Sequence, residues 1–204
     1  MQDLEKKDLA ALRDSTSADF ESKALSHGDP WTGLQQMEFP DGKTKVVKVE
    51  DSTDDQKHEI KTVTVEVGKS KQKVVYRLKK ETPSQKWVVD DVFLNHRQLD
   101  EDKSVATQLH VQVSAVEVVD TWRKKDRSKI LASATGDLKQ TLSELPPERV
   151  ALLADLLVSD IPSGTNAKGL EIIDDQATAK FSKQKGDLVL QLRRQNGQWM
   201  IDDL

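Results

Sequence analysis

No cysteine occurs in the chain, and that one absence removes disulfides, thiolate zinc sites and cysteine nucleophiles together. Long apolar runs are missing too. No stretch approaches the ~20 residues that a membrane helix needs, so no membrane span is expected. Neither sign of charge dominates: basic and acidic residues are interspersed to a net charge of -4. Without a basic tract or a basic amphipathic face, neither nucleic acid nor an anionic membrane surface is an expected partner. Aromatic residues are scarce, with one tyrosine and four tryptophans among 204 residues.

Two of those tryptophans open the same phrase. Trp87-Val88-Val89-Asp90-Asp91-Val92 and Trp199-Met200-Ile201-Asp202-Asp203-Leu204 each place two apolar residues, two aspartates and another apolar residue after the indole. A second match lies upstream, where Lys6-Lys7-Asp8 through Ser15 and Asp19-Phe20 parallel Lys124-Lys125-Asp126 through Ser133 and Asp137-Leu138. Matches at a near-constant spacing are the signature of an internal repeat. The expected organisation is two tandem domains, residues 1–95 and 105–204, joined by a polar linker at 96–104. Each is a normal domain size. The helical spacing of Leu109, Val113, Val116 and Val119 ahead of Lys124 has no counterpart before Lys6. The first copy's opening helix is therefore expected to be truncated, as in an exported or periplasmic protein whose targeting segment lies ahead of Met1.

Within each copy, helical periodicity comes first and strand alternation afterwards. A helix is expected over residues 4–25, and a short one follows in which Asp29 serves as N-cap and Pro30 as first-turn proline. In the second copy Pro146-Pro147 open a helix where Val150, Leu153, Ala154 and Leu157 recur at core spacing, with Leu152 and Leu156 widening the stripe into further core. Val63, Val65 and Val67 alternate with polar residues, as do Ala177, Ala179 and Phe181. These are half-buried strands. Short turns, the clearest being Asn196-Gly197, require antiparallel neighbours. The fold class is α+β: two tandem repeats, each with N-terminal helices packed on a curled antiparallel sheet of about four strands. The extra length of the first copy is expected in its turns, and Trp87→Ala and Trp199→Ala are each expected to cost ~3 kcal/mol or more as core truncations.

This order of helices and hairpins, closing on a strand of the form Trp-x-Ile/Val-Asp, resembles the nuclear transport factor 2-like superfamily of cystatin-like α+β cones. The resemblance covers nearly the whole chain as two tandem domains. It implies a bent sheet wrapped over helices, with a space between them that some members use for ligands or catalysis and others fill with side chains or use for dimerisation. Fold likeness does not transfer function.

Enzymes of that superfamily use a pocket acid or base beside a proton donor. The candidates here are Asp91 and Asp203, which simple alternation places on the strand face of Trp87 and Val89, or of Trp199 and Ile201, with Tyr76 or a histidine beside them. Against this, an Asp-Asp pair also marks a strand leaving the core for solvent, and both aspartates would then titrate near the ordinary value of about 4. Tyr76 is the sole tyrosine, and Leu190 takes its place in the second copy.

His27, His58, His96 and His110 show no metal-ligand spacing among themselves, and the acidic run Asp51-Ser52-Thr53-Asp54-Asp55 lacks the glycine and distal glutamate of a calcium loop. No metal and no cofactor is implied. The sequence therefore predicts a non-enzymatic binding or interaction protein whose partner is another protein or a small apolar ligand, with self-association open to it. The alternative is an isomerase- or dehydratase-like enzyme using a pocket aspartate.

Overall fold

A computed structural model describes residues 8–25, 31, 33–34, 37, 39–82, 84–94 and 104–204. The chain is α+β, with two four-stranded antiparallel sheets, each in sequential order: β1 (Thr44–Thr53), β2 (Glu59–Val67), β3 (Gln72–Lys80) and β4 (Trp87–Leu94), then β5 (Gly169–Ile173), β6 (Gln176–Ser182), β7 (Asp187–Gln195) and β8 (Gln198–Asp203). The order follows from turn chemistry. At the β7–β8 hairpin Asn196 and Gly197 both adopt positive φ, 51° and 78°, the backbone that a two-residue turn between right-twisted strands requires.

The helices are distributed less evenly than expected. Ahead of β1 stand α1 (Leu9–Asp14) and α2 (Ala18–Phe20), the latter running into a π-helical turn at Glu21–Leu25. The continuous helix expected over 4–25 is broken at Ser15-Thr16-Ser17, where the backbone turns to bond strand β4 instead. Four further helices come between β4 and β5 in chain order: α3 (Val105–Arg123), α4 (Arg127–Ala132), α5 (Gly136–Glu144) and α6 (Pro147–Val158). Asp8 caps α1 by accepting the Ala11 N–H, and Asp126 caps α4 by accepting those of Ser128 and Lys129. The helix start expected at Asp29 and Pro30 lies outside the described residues, as does the linker apart from Ser104. No helix among the described residues is long and apolar enough to cross a membrane.

Two compact units divide the chain, Met1–Leu109 and His110–Leu204, so the boundary falls inside α3. In the first unit Phe20, Leu25, Leu34, Val65, Val67, Val74 and Val92 form the core, joined by Val105, Ala106 and Leu109 from the start of α3. The second unit buries Trp122, Ile130, Leu142, Val150, Phe181, Leu190, Trp199 and Ile201. Leu152 and Leu156 do not join it. They are 55% and 73% exposed, because Val150, Ala154 and Val158 already fill the buried face of α6. Nor is the first sheet's extra length confined to turns: β1 runs ten residues where β5 runs five.

Candidate functional site

The two Asp-Asp pairs sit on β-bulges. In the first unit Arg77 faces Asp91 and Leu78 faces Val89, which leaves Asp90 as an extra residue of β4. In the second, Gln191 faces Asp203 and Leu192 faces Ile201, which leaves Asp202 extra. A bulge resets the alternation of the strand it interrupts. That is why Val89 and Val92 share a side of the sheet, and why simple alternation from Trp87 misplaces Asp91.

The residue just before each bulge, on the same strand, is met by the segment between two helices. Ser17 N–H donates to the Val89 carbonyl and the Val89 N–H to the Ser15 carbonyl, each at 2.8 Å. Thr135 and Ser133 make the same two bonds with Ile201, also at 2.8 Å. The hydroxyl of Ser17 then donates to Asp90 Oδ1 at 2.8 Å, and that of Thr135 to Asp202 Oδ1 at 2.7 Å. A guanidinium closes each group: Arg77 Nε lies 2.7 Å from Asp90 Oδ2 and Arg193 Nη2 lies 2.7 Å from Asp202 Oδ2. Sequence reasoning singled out neither Asp90 nor Arg77. The signal available to it was the pairing of Ser-Thr-Ser and Ser-Ala-Thr with the two Trp phrases.

Asp91 is buried, but it serves a helix. Its Oδ2 accepts the Ser104 hydroxyl at 2.6 Å, and its Oδ1 accepts the N–H of Val92 at 2.7 Å and of Ala106 at 3.3 Å. Ser104 in turn caps α3 by accepting the Thr107 N–H at 3.0 Å. The carboxylate thus faces the positive end of that helix. Burial pushes Asp91 above the ordinary carboxyl range, against the pull of Ser104, the Val92 and Ala106 N–H groups and Arg77, which corrects the expectation of ordinary titration. Asp203 is exposed and accepts the N–H of Leu204 at 2.8 Å.

Tyr76 goes elsewhere. Its register partner is Val92 rather than Asp91, and it lines an apolar cavity of about 110 Å³ with Leu12, Phe20, Phe39, Val89 and Val92. Burial raises its hydroxyl above the usual value. Among the described residues that line this cavity there is no carboxylate, Asp91 included. The structure therefore separates the proposed base from the proposed donor. A polar groove of about 830 Å³ lies nearby, bordered by Asp19, Asp54, Arg77, Lys79 and Asp90. In it, desolvation of Asp54 is outweighed by the His58 N–H and ring and by Lys79, which bring its carboxyl down to about 2. Among the described residues no group of three or more His, Asp or Glu is placed to hold a metal ion.

Comparison of the chain with protein-family models, with curated proteins and with solved structures returns no match.

Proposed function

We propose that this chain is a non-enzymatic binding protein made of two duplicated units of the nuclear transport factor 2-like kind, and that the first unit takes a small apolar ligand beside Tyr76. The observation that carries the reading is the cavity itself: mainly apolar walls with Ser15 and Thr16 among them, a single phenol, and no carboxylate among the described residues. Its volume is below the ~300 Å³ of usual drug-sized sites but near the ~150 Å³ of an engineered apolar cavity that stays dry and binds benzene. A ligand of one aromatic ring or a short branched alkyl group fits that space. The duplication is supported by the paired bulges, the paired seryl or threonyl contacts and the paired Asp caps. Against an isomerase- or dehydratase-like reaction stands the engagement of Asp91 with Ser104 and α3, which leaves no carboxylate among the described residues that line the cavity.

Because Tyr76 is the sole tyrosine, its ring resonances report on the cavity without overlap in protein isotopically labelled at tyrosine only. Titration with benzene or indole is expected to shift them saturably, with dissociation in the millimolar range that suits so small a contact, about -4 kcal/mol. Val92→Phe, which fills the space, is expected to abolish the shift while the protein remains folded. A linear, non-saturating response in the wild type, or an unchanged one in Val92→Phe, would overturn the ligand-binding reading.

A further inference from the structure

The two outer edges of the first sheet are treated differently. Along β4, the backbone bonds to Ser15 and Ser17 and the bridge from Phe93 to Ser104 occupy outward-facing groups. At the opposite end β1 has β2 on one side and, among the described residues, no strand on the other. All ten residues of β1 are exposed. Val46 and Val49 pair across to Val65 and Val63, so they continue the core-facing side of the sheet, yet they are 58% and 52% exposed. A long, uncovered apolar edge is a template for another strand.

Charge indicates which strand. The first half of β1 carries Lys45 and Lys48, and the second half carries Glu50 and Asp51. Edge lysines alone repel an incoming strand. Here, however, an antiparallel copy of the same strand sets each basic half against an acidic half, the self-complementarity that a two-fold interface demands. The register that opposes Lys45 to Glu50 also opposes Val46 to Val49. The bulge between Val46 and Lys48 takes Val47 out of the count, which makes this register symmetric about Lys48.

We infer that β1 is the self-association surface of the chain: two copies join edge to edge through antiparallel β1 strands, Val46 against Val49 and Lys45 against Glu50. Lys48 meets its own counterpart at the axis, with its charge offset by Glu50 of the same strand at 2.7 Å. A parallel copy would set lysine against lysine and is disfavoured. The inference does not depend on the cavity or its ligand.

Sedimentation equilibrium of the whole chain, from about 1 μM to about 1 mM, tests it directly. A reversible dimer is expected in the upper part of that range, weakening with salt. Lys45→Glu and Glu50→Lys are each expected to weaken it about tenfold, since two symmetry-related pairs become repulsive together. The double variant is expected to regain most of the loss, and circular dichroism should be unchanged in all three because the residues are exposed. A wild type that stays monomeric throughout overturns the inference. So does association that ignores both single substitutions, which would assign it to another surface such as the exposed Leu152 and Leu156 of α6, or failure of the double variant to recover.

Discussion

Ser17 and Thr135 hold Asp90 and Asp202 in the same way, but the two carboxylates lie at different depths. The side chain of Asp90 is 8% exposed and that of Asp202 is 24% exposed, and their guanidinium partners differ likewise, Arg77 at 35% and Arg193 at 47%. The arginines also come from different positions: Arg77 stands just before the leucine that faces the bulge, and Arg193 just after its counterpart. What the two units share is the backbone device that fastens a helical segment to the last strand. What they do not share is the interior beside it. Tyr76 lines a cavity, whereas Leu190, at the corresponding place two residues before the bulge-facing leucine, is fully packed. A framework fixed by backbone hydrogen bonds tolerates different side-chain fillings, because the bonds do not pass through the side chains that vary.

The sharpest way to break this comparison is at its tryptophans. Trp199 is 5% exposed within the second core, and Trp199→Ala is expected to cost about 3–5 kcal/mol. Trp87 is half-buried, with Lys61 over its ring at 5.0 Å. Trp87→Ala is therefore expected to cost about 1–2 kcal/mol, less than full burial would imply. Denaturant unfolding followed by circular dichroism measures both; equal losses would mean that the two closing strands are equally embedded.

The aspartates come next. Asp90→Ala leaves Ser17 and Arg77 without their buried partner and is expected to destabilise by about 2–4 kcal/mol. Asp202→Ala acts nearer the surface and is expected to cost about 1 kcal/mol. A reversal of that order would contradict the difference in depth.

Asp91 adds a pH dependence to the first unit. Its folded-state value is raised by burial, so the folded state holds this proton more tightly than the unfolded chain does. Its contribution to stability is fully present below the ordinary carboxyl value near 3.8 and is lost as pH rises through the folded value. Asp91→Asn removes this dependence. The stability of wild type relative to Asp91→Asn should therefore improve on acidification across that window, as read by urea unfolding at a series of pH values. A wild type that loses ground instead would show that Ser104 and α3 hold the carboxylate below its ordinary value.

The smallest effect is expected on α6. Leu156→Ser, at a residue 73% exposed, should alter the stability of the second unit by no more than about 0.5 kcal/mol. A loss of several kcal/mol would show that this face is covered.

Much of the fold was legible because the elements announce themselves locally. Alternating valines and alanines, the Asn196-Gly197 turn and Pro147 in a first helical turn each act within a few residues, whereas the helix starts at Asp8 and Asp126 emerged only in the structure. The candidate site was less so. Asp91 and Tyr76 look like partners on adjacent strands, but one inserted residue at Asp90 changes which side chains share a face, and a bulge is set by the strand opposite. Leu156 belongs to an apolar stripe by spacing, yet whether the far side of a stripe is covered depends on how many neighbours reach it.

The sequence alone determined that the chain is α+β, that its sheets are antiparallel, and that the Trp-x-x-Asp-Asp phrase recurs in a fixed setting. These follow from dihedral preference, side-chain period and turn length, all short-range properties. Only tertiary structure decided that Asp91 supports a helix, that Tyr76 faces an apolar cavity with no carboxylate among its described lining residues, and that β1 is exposed. Each of those depends on which residues from distant parts of the chain meet, and on the bulges that fix the register in which they do.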